Sequence, residues 1–202
     1  MKDFILKSIS FVFHPLIMPL LGVMFYFHKT PRYIPVPLRN AKLFSIIILT
    51  IVLPILLFFL LKTVNKVNSI YLKSTKERLI PLFINCIITA LILLRVLTPD
   101  EIIELYYFFL GILCSTLACF IMAIFKVKAS IHMIAVSGFF MFAIGIGIHY
   151  QININGTIAL MMVVTGAVAT SRLHVKAHTD QELIIGLFTG FFPQLIFLSY
   201  WL

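Results

Sequence analysis

The sequence predicts an all-α integral membrane protein, a single bundle of six or seven transmembrane helices spanning residues 1–202. Three observations predict it. Hydrophobic residues make up 61% of the 202 residues and charged residues only 11%, and the mean hydropathy is +1.10. A soluble domain of this length has too little interior to hide that much apolar surface, whereas lipid solvates it from outside. The apolar residues are also gathered into seven runs, with the charges placed between them, and the length suits one domain.

The runs lie at about 9–28, 42–61, 79–97, 101–124, 131–149, 156–171 and 183–201, near the roughly 20 residues that a span requires. The sixth is the shortest. Ahead of the first run, Met1-Lys2-Asp3-Phe4 leads into a stretch with no small-residue cleavage site after it. The run therefore reads as a retained helix rather than a signal peptide, bent by His14-Pro15 and Pro19. The 30–40 segment, with Pro31, Pro35, Pro37, Arg32 and Arg39, reads as an extended surface connection. Thr98-Pro99-Asp100-Glu101 reads as N-cap, first-turn proline and capping-box acid, which starts the fourth helix there. Gly186 and Gly190 form a GxxxG spacing, and Gly138, Gly145 and Gly147 add further small positions for close helix contact. Cys86, Cys114 and Cys119 lie inside apolar runs without a CxxC pattern, so they read as buried free thiols.

The formal net charge is +9. Because Lys and Arg fall mainly in short segments between apolar runs, the charge points to anionic lipid headgroups and topology rather than to nucleic acid. Three segments hold most of the residues able to do chemistry: 62–78, 126–132 and 171–182. They follow the second, fourth and sixth runs, so two spans separate each consecutive pair and all three emerge on one membrane face. Eleven of the 16 Lys and Arg residues fall on that face, at 2, 7, 62, 66, 73, 76, 78, 126, 128, 172 and 176. The positive-inside rule taken alone makes it cytoplasmic. Several of those cations are also candidate ligands, and without them the two faces are nearly balanced, so orientation stays open.

Together the segments supply cations, hydroxyls, two separated histidines and a carboxylate, a set suited to binding and transferring phosphate. Arg grips phosphate oxygens in a fork, Lys adds point charge, and helix N-termini add amide donors. His178 and Glu182 are four apart, so on a helix the acid can hold the imidazole in one tautomer and raise its nucleophilicity.

Ser171-Arg172, followed after five residues by His178 and after three more by Glu182, resembles the last motif, SRxxxxxHxxxD, of the type 2 phosphatidic acid phosphatase superfamily. Ala129-Ser130-Ile131-His132 is similar to its middle motif, PSGH, and Lys73 to Pro81 resembles its first, KxxxxxxRP. The resemblance covers roughly 70–182, and the motif-bearing core is about 70–202. It implies a membrane lipid phosphatase acting on a phosphate or diphosphate monoester of phosphatidate, phosphatidylglycerophosphate or isoprenyl phosphate type, without a metal or other cofactor. It implies His178 as nucleophile, forming a phosphohistidine, Glu182 as the acid that orients it, and His132 as proton donor and then base. It implies Arg78, Arg172, Ser130, Ser171 and a first-segment lysine, Lys73 or Lys76, as phosphate ligands. The bacterial cytoplasmic membrane is the location it implies. The sequence departs from the family in five places, one of them Pro81, which lies two residues later than the first motif's proline. Glu182 replaces Asp, Ile131 replaces Gly, Ala129 replaces Pro, and Tyr71 stands seven residues before Arg78 where the family has Lys.

Other readings stand beside these. Glu182 completes a capping box with Thr179, as Glu77 does with Ser74. Arg78 and Arg172 suit snorkelling to headgroups, and His132 suits an ordinary interfacial histidine. His174, His178 and Glu182 at i, i+4, i+8 would make a zinc or iron site on one continuous helix. A catalytically silent, lipid-binding relative of the same fold is the alternative function. A transporter, which would need broken helices and mid-membrane charge, ranks last.

Overall fold

The computed structural model describes residues 2–65 and 74–202. The described residues are helical with no strand: α1 Lys2–Val12, α2 Met18–Lys29, α3 Val36–Ile47, α4 Leu53–Thr63, α5 Thr75–Arg95, α6 Ile103–Ile124, α7 Ile131–His149, α8 Asn155–His174 and α9 Asp180–Leu198. A π-helical turn, Ile48–Val52, joins α3 to α4 into one rod, Val36–Thr63. Its cause is Pro54, which has no N–H to give the preceding turn. Six helices among the described residues are long and apolar enough to cross a membrane: this rod and α5 to α9.

The first apolar run does not form the single helix expected. It breaks at His14-Pro15 into α1 and α2, because proline disfavours helical backbone at the residue before it and cannot donate to the turn behind. A second correction concerns Thr98–Glu101, which forms a hydrogen-bonded turn in which Glu101 N–H donates to Thr98 O at 3.2 Å. The fourth run becomes helical only at Ile103. Glu101 is instead drawn across to Lys42, whose ammonium also donates to the Val96 carbonyl.

The most enclosed span is α7, which α9, α2 and α8 flank. One core gathers Tyr26, Phe108, Phe109, Phe142 and Ile146 around α2, α6 and α7. Another joins Met133, Val136, Val168 and Leu183. A third, smaller one holds Leu82, Cys119, Ala129 and Ile134 under the site described below. The glycines on α9 set the α7–α9 spacing. A Cβ on Gly190 would lie 2.0 Å from Ile134 O, and one on Gly186 would lie 2.7 Å from Ser130 O. Backbone packs directly on backbone there, which places the first turn of α9 beside the first turn of α7.

Lys126 and Lys176 end α6 and α8 in the left-handed region, with φ of 61° and 51°. Val127 N–H donates to Met122 O at 2.8 Å and Ala177 N–H to Arg172 O at 3.1 Å, closing each helix in a Schellman-type cap. Both caps turn the chain straight into a segment that carries site residues.

Candidate phosphate site

Helices α5, α7 and α9 all begin at one end of the bundle, so three helix N-termini, each with partial positive charge, come together there. Side-chain caps fix each start. Ser74 Oγ accepts from Glu77 N–H at 3.2 Å, Ser130 Oγ from Met133 N–H at 3.5 Å and Thr179 Oγ1 from Glu182 N–H at 3.3 Å.

His178 lies in the loop just ahead of α9, almost fully buried. Its Nδ1 is 2.6 Å from Glu182 Oε2. The acidic half of the capping box expected at Thr179 is therefore diverted: the Glu182 carboxylate goes to the imidazole. Glu182 is fixed twice more. Its carbonyl accepts from Ser130 N–H at 3.1 Å, and Lys128 Nζ stands 3.7 Å from Oε2. Lys128 in turn donates to Ala177 O at 2.8 Å, bridging the loop before α7 to the loop before α9. Arg78, buried in the first turn of α5, donates from Nη1 to Ala129 O at 2.8 Å and acts electrostatically on Glu182. Burial lowers the His178 pKa to about 4. The Glu182 bond opposes that shift, and the Arg78 and Lys128 charges add to it. The ring is therefore neutral at neutral pH, with a lone pair available, and its acid partner fixes its orientation.

A second group adjoins the first. Ser171 and Arg172, at the end of α8, are both buried. Ser171 Oγ donates to Leu6 O at 2.5 Å and lies 2.6 Å from Ser10 Oγ. Arg172 Nη1 donates to Ser10 Oγ at 3.5 Å. His132, in the first turn of α7, places Nε2 3.2 Å from Ser10 O and meets His14 edge-on at 5.5 Å. Arg172 and His178 both lie within electrostatic range of His132, which links the two groups.

The structure thus brings together His178, Glu182, Arg78, Ser130, His132, Ser171 and Arg172. Lys76 is exposed, and among the described residues it forms no hydrogen bond or ion pair with them. Lys73 and Tyr71 lie outside the described residues. Sequence reasoning missed Lys128 as the partner of Glu182. It also missed Ser10, and it used His14 only to bend a helix. The available signal was that Ser10 and His14, four apart, stand at the site end of the first run.

His174 does not line up with His178 and Glu182, because α8 ends at His174 and the loop to Thr179 intervenes. Among the described residues no group of three His, Cys, Asp or Glu side chains is placed to hold a metal ion. Comparison of the chain with protein-family models, curated proteins and solved structures finds no match.

Proposed function

We propose that the chain is a membrane lipid phosphatase that works through a phosphohistidine at His178. The observation that carries this reading is a buried His178 bound at 2.6 Å to Glu182, with Arg78 and Lys128 beside the pair and Arg172 next to His132. Arg78, Lys128 and Arg172 outnumber Glu182 among the side chains gathered around His178 and His132, so this cluster favours an anion. Its position at the end of membrane-spanning helices favours one that carries an apolar tail, held between helices while the headgroup meets the cations.

The chemistry follows from the geometry. Glu182 holds Nδ1–H, leaving the Nε2 lone pair to attack phosphorus. The bond from phosphorus to the lipid oxygen breaks, and His132 gives that oxygen a proton. His132 then takes a proton from water, the hydroxide attacks the phosphohistidine, the P–N bond breaks, and inorganic phosphate leaves. Arg78 and Arg172, with Lys128 and the first-turn amides of α7, stabilise the charge that builds on the phosphoryl oxygens. These cations supply charge stabilisation from the protein itself. The same reading puts the protein in a bacterial cytoplasmic membrane, where reporter fusions at the two termini would report which side the site faces.

The competing reading is a lipid-binding protein without turnover, and the bond between His132 and Ser10 favours it. Phosphate release from phosphatidate, phosphatidylglycerophosphate and isoprenyl phosphate in detergent separates the two. The phosphatase reading expects release that vanadate inhibits and that His178→Ala removes. Release by His178→Ala at the wild-type rate would sink the mechanism, and lipid binding without release would leave the silent alternative.

A further inference from the structure

We propose that α1 is a strap over this site, with Ser10 seated where two oxygens of the anionic headgroup bind, so that α1 releases Ser10 before His132 and Arg172 act. The inference rests on the phosphatase reading of the site.

The hydrogen bonds run in one direction. Ser171 has a single hydroxyl hydrogen, and it goes to Leu6 O at 2.5 Å. Ser10 Oγ is therefore the donor in the 2.6 Å contact with Ser171 Oγ, and it accepts from Arg172 Nη1 at 3.5 Å. Ser10 O, a carbonyl, can only accept, so His132 Nε2 carries its proton and donates it there at 3.2 Å. Ser10 thus presents two acceptor oxygens, one to a guanidinium and one to an imidazole N–H. A phosphoryl group would offer oxygens to the same two donors. While Ser10 is seated, the His132 proton cannot reach a leaving oxygen.

The construction of α1 suits release. It has 11 residues, fewer than the roughly 12–15 that hold a helix together alone in water, so docking maintains it. It packs along α8, while Phe11 and Val12 on its outer side are 77% and 55% exposed, an apolar edge that membrane lipid covers as at an interfacial helix. Beyond it, residues 13–17 form a non-helical turn at Pro15. There Leu16 N–H donates to His14 Nδ1 at 3.3 Å. His14 is held by its own turn, so the hinge lies between the strap and a histidine that stays beside His132.

The test locks the strap in the full-length protein. In Ser10→Cys/Ser171→Cys the two side-chain atoms start 2.6 Å apart, close to the sulfur–sulfur bond length of about 2.05 Å, and the mass of the joined peptides verifies the bridge. Two readouts compare the oxidised and reduced protein: carbethoxylation of His132 by diethylpyrocarbonate, and phosphate release from phosphatidate in mixed micelles. Oxidation is expected to slow both at least tenfold, and dithiothreitol to restore both. Ser10→Ala, which leaves α8 intact, is expected to speed His132 labelling several-fold. Equal labelling of His132 in the oxidised and reduced proteins overturns the strap. If neither wild type nor reduced variant releases phosphate, the phosphatase reading fails, and the labelling still decides the strap by itself.

Discussion

At the end of the bundle where α6 begins, Glu104 is buried and fully answered. Tyr26 and Tyr150 donate to it at 3.1 and 2.5 Å, and His149 Nε2 stands 3.7 Å away. Nearby, Lys42 donates to Glu101, whose carboxyl it holds below the usual value. At the opposite end, Glu182 meets Arg78 and Lys128, Arg172 joins from α8, and three helix N-termini point the same way. One end closes its hydrogen bonds among its own residues and ties α2, α6 and α7 together. The other sets Arg78, Lys128 and Arg172 around Glu182, more positive charge than that acid neutralises. The charge balance around Glu104 and around Glu182 thus separates a closed latch from an end with excess positive charge.

One substitution at each end has the largest and most divergent effects. His178→Ala is expected to lower phosphate release at least about 10³-fold, whereas Glu104→Gln leaves the rate within a small factor. The latter instead weakens two hydrogen bonds to a buried carboxyl group and lowers stability by about 1.5–3 kcal/mol. Initial rates and denaturation in detergent, measured on the same preparations, check both.

Gly190→Leu attacks the packing that sets α9 and Glu182 against α7. Its side chain would start against Ile134 O, so overpacking is expected to cost about 1–3 kcal/mol or more. It should also part Glu182 from Ser130, so activity falls further than stability accounts for. A rate retained in the folded fraction would show that the α7–α9 contact does not position the site.

The pH dependence follows from the direction of the His178 shift. Its folded pKa, about 4, lies below the 6.5 of a free imidazole. Between those values the unfolded chain binds the extra proton, so stability contributed by this residue is present above pH 6.5 and is lost as the pH falls toward 4. A pH–rate profile is expected to show the acid limb of kcat/KM near 4 rather than 6.5. Unfolding at pH 7 and pH 5 should show less acid sensitivity in His178→Ala than in wild type. The smallest effect is expected at the α8 cap, where Lys176→Gly relieves a left-handed lysine and adds about 1 kcal/mol, read as a higher denaturation midpoint.

Much of the arrangement was legible in the sequence. Apolar run lengths give the spans, and the alternation of polar segments puts Arg78, Ser130 and His178 at one end. The i, i+4 spacing places Glu182 against His178. The remainder depends on contacts that local patterns do not carry. Nothing near Lys128 in sequence reveals that it reaches Glu182, 54 positions away, because that pairing is made by the backbone approach at Gly186 and Gly190. Pro15 announces a bend but not that the displaced α1 folds back so that Ser10 meets Arg172. Thr98–Glu101 matches the local pattern of a helix start, and the tertiary pull of Lys42 on Glu101 overrides it.

The most direct measurement is a search for the covalent intermediate. Protein mixed with a lipid phosphate and quenched in strong base, which preserves a P–N bond, is digested and its peptides are weighed. The phosphatase account predicts a phosphoryl group on the peptide carrying His178, absent in His178→Ala. Phosphate release with no such adduct, or with the adduct on another residue, would contradict it.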